Sequence, residues 1–265
     1  MLRSCYCLLL VACTLAAAAD KGEILAVPAE ELNVVLRQTP MPEMGDSRIA
    51  KILQRYYQAG LGGAENWDRI ESLNVVGILS LDDVDCEFVA YQKKPNLLKM
   101  SFRKPPNPNS VVLAYDGELA WQHRPADSAP GPMPASEARR FIHSSQFGNY
   151  LLYPFAEGKT IRYMDTVPAE GSICHQIRVV LDTGYQVDYF IDIRSYLETK
   201  VENTDLRSGV RNSVVYKDYT VEYGVPIATQ VESYEDGEWV SSLSLTEVKV
   251  NSGVMPWMFQ MPESE

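Results

Sequence analysis

The sequence predicts a mainly β (α+β) protein, built on antiparallel strands with a few helices beside them. Short segments that alternate apolar and polar residues recur from residue 73 to residue 250, and turn signals such as Asp116-Gly117 separate them. Two other segments have the spacing of one-faced helices. No change in composition marks a domain boundary within 46–265, so these elements indicate one antiparallel barrel or sandwich.

The first helix is predicted to follow Asp46 or Ser47, either of which can cap its first turn. A glycine-rich run at residues 60–63 ends it, and Trp67 and Ile70 then lead into the first strand. Its apolar face has the i, i+3, i+4, i+7 spacing and consists of Ile49, Ile52, Leu53 and Tyr56.

The second helix is predicted after a proline-rich loop, Pro125–Pro134, with Ser136 as its cap. Its one-sided face consists of Ala138, Phe141, Ile142 and Ser145. Two one-faced helices beside a single antiparallel sheet indicate that the sheet curves and that the helices cover its concave face. Such an arrangement leaves an apolar space between helix and sheet, which is a natural lipid cavity.

Twelve strands are predicted from the period-two segments and the turns between them. They are Leu73–Leu81, Val84–Gln92, Asn96–Arg103, Ser110–Tyr115, Glu118–His123, Thr160–Met164, Ile173–Leu181, Gln186–Ile193, Leu197–Asn203, Asn212–Val221, Pro226–Tyr234 and Glu238–Val250.

The N-terminal segment Met1–Ala19 has a basic residue, a short apolar run and three alanines before Asp20, as a secretory signal does. We therefore expect export and cleavage after Ala19. The alternative is a bacterial lipobox, Leu10-Val11-Ala12-Cys13, which would anchor the protein through lipid on Cys13. Asp20–Gly45 is interpreted as an N-terminal extension or tether, and residues 46–265 as the folded domain.

The chain has 265 residues, of which 46% are hydrophobic and 22% are charged, a balance typical of globular proteins. Its formal net charge of −11 argues against nonspecific binding to nucleic acid or to anionic lipid surfaces, since both need a basic face. No segment after the signal approaches the about 20 apolar residues that a bilayer span needs. The mature chain is therefore not expected to be transmembrane.

Motifs for chemistry are missing from the sequence, which has no nucleotide-binding loop, no zinc spacing and no G-x-S-x-G elbow. His143, next to two serines, has common surface composition, and His175 has the position of a packed or solvent-facing strand histidine. The acidic turn with Asp82, Asp83 and Asp85 is interpreted as a solvated hairpin tip and not as a metal site. No catalytic residue, cofactor or metal is therefore expected.

Two cysteines, Cys86 and Cys174, lie inside predicted strands of the mature chain. A disulfide is possible in an exported protein, but nothing in the sequence brings the two strands together. Two buried free thiols are therefore the favoured interpretation.

A series of short motifs runs in a fixed order over roughly residues 48–262. The basic pair and proline of Lys93-Lys94-Pro95-Asn96-Leu97-Leu98 precede a hairpin at 110–117 and Leu119-Ala120-Trp121. Later segments of the series are Tyr189-Phe190-Ile191-Asp192, Tyr216-Lys217-Asp218-Tyr219, Gly224-Val225-Pro226 and Phe259-Gln260-Met261-Pro262. In their order and spacing these segments resemble the LolA family of periplasmic lipoprotein carriers.

The resemblance implies a curved antiparallel half-open β-barrel of about eleven or twelve strands, covered by two or three helices. It implies a periplasmic carrier without enzymatic activity, whose hydrophobic cavity holds the acyl chains of lipoproteins or of another lipid. The further partners that it implies are an inner-membrane release complex and an outer-membrane receptor. Two alternatives stay open, namely a membrane-anchored LolB-like lipoprotein receptor and a hydrolase on the same scaffold.

Ten side chains are the candidate lining of this cavity, although they could equally fill a solid core. They are Phe88, Leu98, Met100, Phe102, Trp121, Ile52, Leu53, Tyr56, Phe141 and Ile142. In the family, the second residue of the basic pair is an arginine that ties the helical lid to the sheet. Lys94 stands at that position and is the lid-latch candidate, although lysine lacks the planar fork of arginine.

Overall fold

The structure is a computed structural model that describes residues 46–82, 84–127, 129–151 and 159–262. The predicted signal Met1–Ala19, the lipid anchor at Cys13 and the tether Asp20–Gly45 lie outside the described residues, as does Asp83. Those interpretations stay predictions.

The first helix, α1, is Arg48–Arg55, and a single π-helical turn, Tyr56–Gly60, continues it. The Ser47 hydroxyl caps α1 by accepting a hydrogen bond from the backbone N–H of Ala50 at 3.2 Å. This contact confirms the predicted start of the helix. A short helix that was not predicted, α2, follows at Ala64–Arg69.

The connection between the π-helical turn and α2 depends on Gly62. Its φ of 72° lies in the left-handed region that favours glycine. A Cβ on Gly62 would lie 1.8 Å from the carbonyl oxygen of Gly224, so this position has no room for a side chain. The predicted glycine stop is therefore confirmed, and it also docks the α1–α2 connection on the chain turn at Gly224.

In the part of the chain that the structure describes, thirteen strands form one sheet. They are β1 Ser72–Leu81, β2 Val84–Lys93, β3 Leu97–Arg103, β4 Val111–Tyr115, β5 Ala120–His123, β6 Gly131–Pro132, β7 Lys159–Ala169, β8 Ser172–Leu181, β9 Tyr185–Asp192, β10 Glu198–Asp205, β11 Arg211–Glu222, β12 Val225–Glu235 and β13 Glu238–Val250. A third helix, α3, spans Ala135–Ser144, and a 3₁₀ turn spans Pro256–Phe259.

The spatial order is β6-β5-β4-β3-β2-β1-β13-β12-β11-β10-β9-β8-β7, so the sheet is open with β6 and β7 at its edges. All neighbouring pairs are antiparallel. The pairing of β1 with β13, with Leu73 opposite Val250, joins the two runs of consecutive strands. The predicted antiparallel, mainly β fold class is confirmed.

Helix α3 shows that the sheet curves strongly. Near its start, Glu137 pairs with Arg124, which follows β5, at 3.2 Å. Near its end, the His143 ring stacks on Tyr185 of β9 with a centroid distance of 3.9 Å. Strands β5 and β9 are nine steps apart in the sheet, roughly 43 Å if it were flat. A ten-residue helix is only about 15 Å long, so the two halves of the sheet must bend toward each other beneath α3.

The core lies between the concave face of the sheet and the helices. Buried residues from both form one continuous hydrophobic cluster. Strand β3 illustrates the alternation, because Leu98, Met100 and Phe102 are buried and the residues between them are only partly buried. Within the described residues, no helix combines the length and the apolar character needed to cross a membrane.

Three local expectations are corrected. The proline-rich loop contains a strand that was not predicted, β6, which raises the number from the predicted twelve to thirteen. Its Gly131 and Pro132 pair with Gln122 and Trp121. A proline is tolerated there because β6 is an edge strand. Ser136 does not cap α3, since the helix begins one residue earlier, directly after the extended Pro134.

The surface position expected for His143 is also wrong. The side chain is buried, because α3 presses that face of the helix onto β9 and β10.

Adjacent residues of β1 provide a test of which face of the sheet is the core. Leu79 is fully buried, whereas Ile78 is 38% exposed on the opposite face. We expect Leu79→Ala to lower the free energy of unfolding by about 2–5 kcal/mol, because it leaves a cavity in the core. Ile78→Ala is the matched control and should change it by less than about 1 kcal/mol. Equal effects in urea unfolding would contradict the assigned burial.

Candidate ligand-binding site

Nine of the ten predicted lining residues lie in the contact zone between the helices and the concave face. Eight of them are buried members of the core cluster, and Ile142 is partly buried against it. The nine residues are Ile52, Leu53, Tyr56, Phe88, Leu98, Met100, Phe102, Phe141 and Ile142. Whether they line a ligand cavity stays a prediction.

Trp121 is the exception, because it faces the other side of the sheet. It pairs across strands with Ala114, whose neighbours Leu113 and Tyr115 point into the core. Since side chains alternate between faces, Ala114 and Trp121 point away from the helices. There the Trp121 indole N–H donates to the Phe259 carbonyl at 2.7 Å. Trp121 therefore anchors the C-terminal 3₁₀ turn on the outer face of the sheet.

We call α1, the π-helical turn, α2 and α3 the helical cover. Lys94, at the end of β2, joins this cover to the sheet. Its ammonium donates to the backbone carbonyls of Trp67 and Asp68 at 3.3 and 3.1 Å, and it lies 3.8 Å from the Glu71 carboxylate. These carbonyls belong to the C-terminal end of α2, where a cation is favoured. The contacts use single N–H groups and not an arginine-like fork; the role of Lys94 as a latch stays a prediction.

A second connection between cover and sheet is built around Glu198 of β10. The Tyr56 hydroxyl donates to Glu198 Oε1, and Asn149 Nδ2 donates to the same oxygen at 2.5 Å. Tyr219 of β11 donates to the Glu198 backbone carbonyl at 2.8 Å. Three separate parts of the chain therefore meet at one residue: the π-helical turn, the segment after α3, and the sheet.

Burial dominates the electrostatics of this connection. It raises the pKa of the Glu198 carboxyl to about 7, although the hydrogen bonds from Tyr56 and Asn149 oppose the shift. Glu198 as a whole residue is only partly buried, but its carboxyl is enclosed by these partners. Burial also raises the pKa of Tyr56, so its hydroxyl keeps the proton that it donates.

A small cavity of about 70 Å³ borders this connection. The polar groups at its wall are Glu198, Asn149 and the indole of Trp67, whose buried Nε1 has no hydrogen-bond partner among the described residues. Its volume is far below the roughly 300–1,000 Å³ of a typical small-molecule pocket. A long acyl chain therefore fits beneath this part of the cover only after the cover moves. The apolar lining is Leu61, Ile70, Leu73, Tyr216, Tyr219, Val225, Pro226, Ile227 and Ala228.

The described residues offer little for covalent chemistry. The Nε2–H group of His143 donates to Asn203 Oδ1, its Nδ1 is hydrogen-bonded to the Tyr150 hydroxyl, and the ring is packed between two tyrosine rings. Burial lowers its pKa to about 4, so it is neutral and structural near pH 7. The described residues contain no cluster of potential metal ligands. Cys86 and Cys174 are buried and free, which confirms the favoured interpretation.

The importance of Glu198 was missed because of a β-bulge. Counting in steps of two from buried Val201 places Glu198 on the outer face. The register between β10 and β9 shifts between Glu198 and Lys200, which leaves one extra residue on β10. Glu198 consequently pairs with Ile191, a core residue, and turns inward. The presence of an acidic residue in an otherwise alternating strand was the one indication in the sequence. The bulge itself has no recognisable sequence pattern.

Neither a protein-family model nor a curated protein matches the chain. Solved structures do match it. A domain from Vibrio parahaemolyticus described as an outer membrane lipoprotein-sorting protein domain has a TM-score of 0.54 and 12% identity, with 77% of this chain and 93% of that chain covered.

Two further structures agree. A LolA superfamily protein from Nitrosomonas europaea has a TM-score of 0.55 and 13% identity, with 79% and 96% of the chains covered. A DUF1329 family protein from Desulfovibrio piger has a TM-score of 0.54 and 13% identity, with 79% and 95% covered. At these identities the likeness concerns the fold, and together with the open antiparallel sheet beneath its helical cover it gives one conclusion: the chain has a LolA-like fold.

Proposed function

We propose that this protein is a periplasmic carrier that binds the acyl chains of lipoproteins or of another lipid between its helical cover and the concave face of its sheet. No covalent step and no cofactor are involved. The observation that carries the proposal is the apolar contact zone, which a separate helical cover closes through a few polar connections at Lys94 and Glu198. The LolA-like fold supports the same function.

Ligand entry requires the cover to separate from the sheet, because the cavity of about 70 Å³ beside Glu198 is too small for a long chain. Separation exposes apolar surface on both sides. A bound acyl chain re-covers that surface, and each buried methylene contributes about 0.8 kcal/mol. Ten methylenes would contribute roughly 8 kcal/mol, which is enough to offset the loss of a few hydrogen bonds at about 1 kcal/mol each.

Lipoprotein cargo implies a donor and an acceptor at the two membranes, that is, an inner-membrane release complex and an outer-membrane receptor. Export through Met1–Ala19 would deliver the protein to the compartment between them. Mass spectrometry of the mature N-terminus distinguishes a free carrier, which begins at Asp20, from an anchored protein, which begins at lipid-modified Cys13.

Uptake of the neutral dye Nile red tests the proposal. We expect its fluorescence to rise with the folded protein and to be displaced by palmitate but not by butyrate, because only a long chain buries enough methylenes. Lys94→Ala should accelerate uptake about tenfold, since it removes charged hydrogen bonds to the end of α2.

The matched control is Lys93→Ala, the preceding residue, which is the last residue of β2 and whose side chain forms no hydrogen bond or ion pair with α2 in the described part of the chain. Its uptake rate should equal that of the wild type. A well-folded protein that takes up no dye would refute the carrier proposal, and equal rates for both variants would refute the latch.

The raised pKa of Glu198 gives a second prediction. The folded carboxyl titrates near pH 7 and the unfolded one near its ordinary value of 4.5, so the folded state binds the additional proton between these values. Stability from this group is present at low pH and is lost as pH rises through about 7, with a slope of up to about 1.4 kcal/mol per pH unit.

Urea unfolding between pH 5 and pH 8 measures this slope. Glu198→Gln should remove it, whereas Glu238→Gln at an exposed position should leave it intact. The Nile red uptake rate of the wild type should rise over the same pH range, because an ionised Glu198 weakens the closed cover. An unchanged slope in Glu198→Gln would show that its carboxyl does not titrate as described.

A further inference from the structure

A groove of about 420 Å³ lies along the polar side of α1 and shares Ile52 with the apolar contact zone. We call it the α1 groove. Its volume falls within the roughly 300–1,000 Å³ of ligand-binding pockets, unlike the small cavity beside Glu198. Its main lining residues are Arg48, Lys51, Ile52, Arg55, His175 and Tyr196.

The charge of the α1 groove is opposite to that of the whole chain. Arg48, Lys51 and Arg55 follow the i, i+3, i+7 spacing, so they share one exposed face of α1 over about 10 Å. Asp46 is the one acidic residue of the lining, and it lies 4.0 Å from Lys51. The formal net charge of −11 therefore excludes a general attraction to anions but hides this local basic site.

Tyrosines, and not carboxylates, position the two guanidinium groups. Arg48 donates to the Tyr163 hydroxyl at 2.7 Å and lies 4.2 Å from the centre of that ring. Arg55 donates to the Tyr196 hydroxyl at 3.0 Å. Within the described residues, neither arginine pairs with a carboxylate, so each guanidinium has a tyrosine hydroxyl and no anion as its side-chain partner. Aromatic neighbours restrict both side chains without neutralising their charge, which is how arginines are prepared for an anion.

His175 supplies an unsatisfied polar atom beside the guanidinium groups. Its ring lies between Tyr163 and Tyr196, with centroid distances of 6.0 and 6.1 Å. Its Nδ1 is buried and has no hydrogen-bond partner among the described residues. Leaving such an atom unpaired costs about 1–3 kcal/mol, a cost that a bound acceptor would remove if Nδ1 carries the proton.

We propose that the α1 groove binds a phosphate group, with the guanidinium forks of Arg48 and Arg55 as the principal ligands and Lys51 between them. Arginine forks match phosphate oxygens in bidentate geometry, and a lysine adds a point charge. Ile52 both lines the groove and belongs to the core cluster under the cover. One helix thus offers a phosphate site on one side and an apolar site on the other, which fits the headgroup of a phospholipid. The lipid identity rests on the proposed carrier function, whereas phosphate binding does not.

Isothermal titration calorimetry with two probes tests this site. The probes are inorganic phosphate and dihexanoyl phosphatidylglycerol below its micellar concentration. We expect both to bind, the lipid more tightly, and both affinities to fall with added NaCl. The double variant Arg48→Gln, Arg55→Gln should weaken binding at least tenfold, and Arg48→Lys, Arg55→Lys should recover only part of it, since lysine keeps the charge without the fork.

Arg69→Gln is the matched control, because Arg69 is an exposed arginine of α2 outside the groove, and its affinity should be unchanged. Thermal unfolding of each variant separates a lost site from a lost fold. Absence of phosphate binding to the wild type, or equal binding by the folded Gln double variant, overturns the proposal. Equal affinity for phosphate and lipid keeps the phosphate site and overturns the lipid headgroup.

Nile red uptake by the same variants separates this inference from the carrier proposal. The neutral dye should enter the Gln double variant normally, because the arginines do not lie in the apolar contact zone. Phosphate binding without dye uptake would refute the carrier proposal but support the phosphate site in the α1 groove.

Discussion

The apolar concave face of the sheet must be kept from water, and the remaining elements are arranged around that constraint. Two stretches of chain distant in sequence supply the cover, one before β1 and one after β6. Helix α3 can bury its apolar side only where the strands curve, because it reaches from β5 to β9 only on a bent sheet. Curvature and cover therefore depend on each other, and the core cluster contains residues from both.

Polar groups inside this interface decide how firmly the cover is held. The network of Tyr56, Asn149 and Glu198 is enclosed, and hydrogen bonds are stronger in such a low-dielectric setting. The same enclosure penalises an ionised carboxyl. The interface thus combines a large nonspecific contribution from apolar burial with a small specific one that responds to protonation. The proposed carrier function would use that division, since the small contribution can change without unfolding the sheet.

Sequence patterns predicted the elements whose periodicity reflects burial and missed those that tertiary pairing decides. Twelve strands and both main helices were predicted because one face of each is apolar. The two-residue β6 is too short to have a period. Trp121, a predicted lining residue, lies on the outer face; Ala120 and Trp121 are both apolar, so alternation alone does not show which of them points inward, and only the pairing with Ala114 does. Glu198 turns inward because of a bulge that the sequence does not reveal. The basic residues of α1 were overlooked because the net charge of the whole chain is −11.

The contact between Gly62 and Gly224 has a consequence for how this scaffold can vary. The connection between α1 and α2 packs there against the backbone of Gly224 without an intervening side chain. Asn66 donates a hydrogen bond to the Gly62 carbonyl at 2.8 Å beside this contact. Main-chain atoms therefore set the distance between the α1–α2 connection and the turn at Gly224. A single methyl group on Gly62 would force the two apart. Side chains elsewhere beneath the cover take no part in this contact, so in the proposed carrier their sizes could differ without a change at the Gly62 connection.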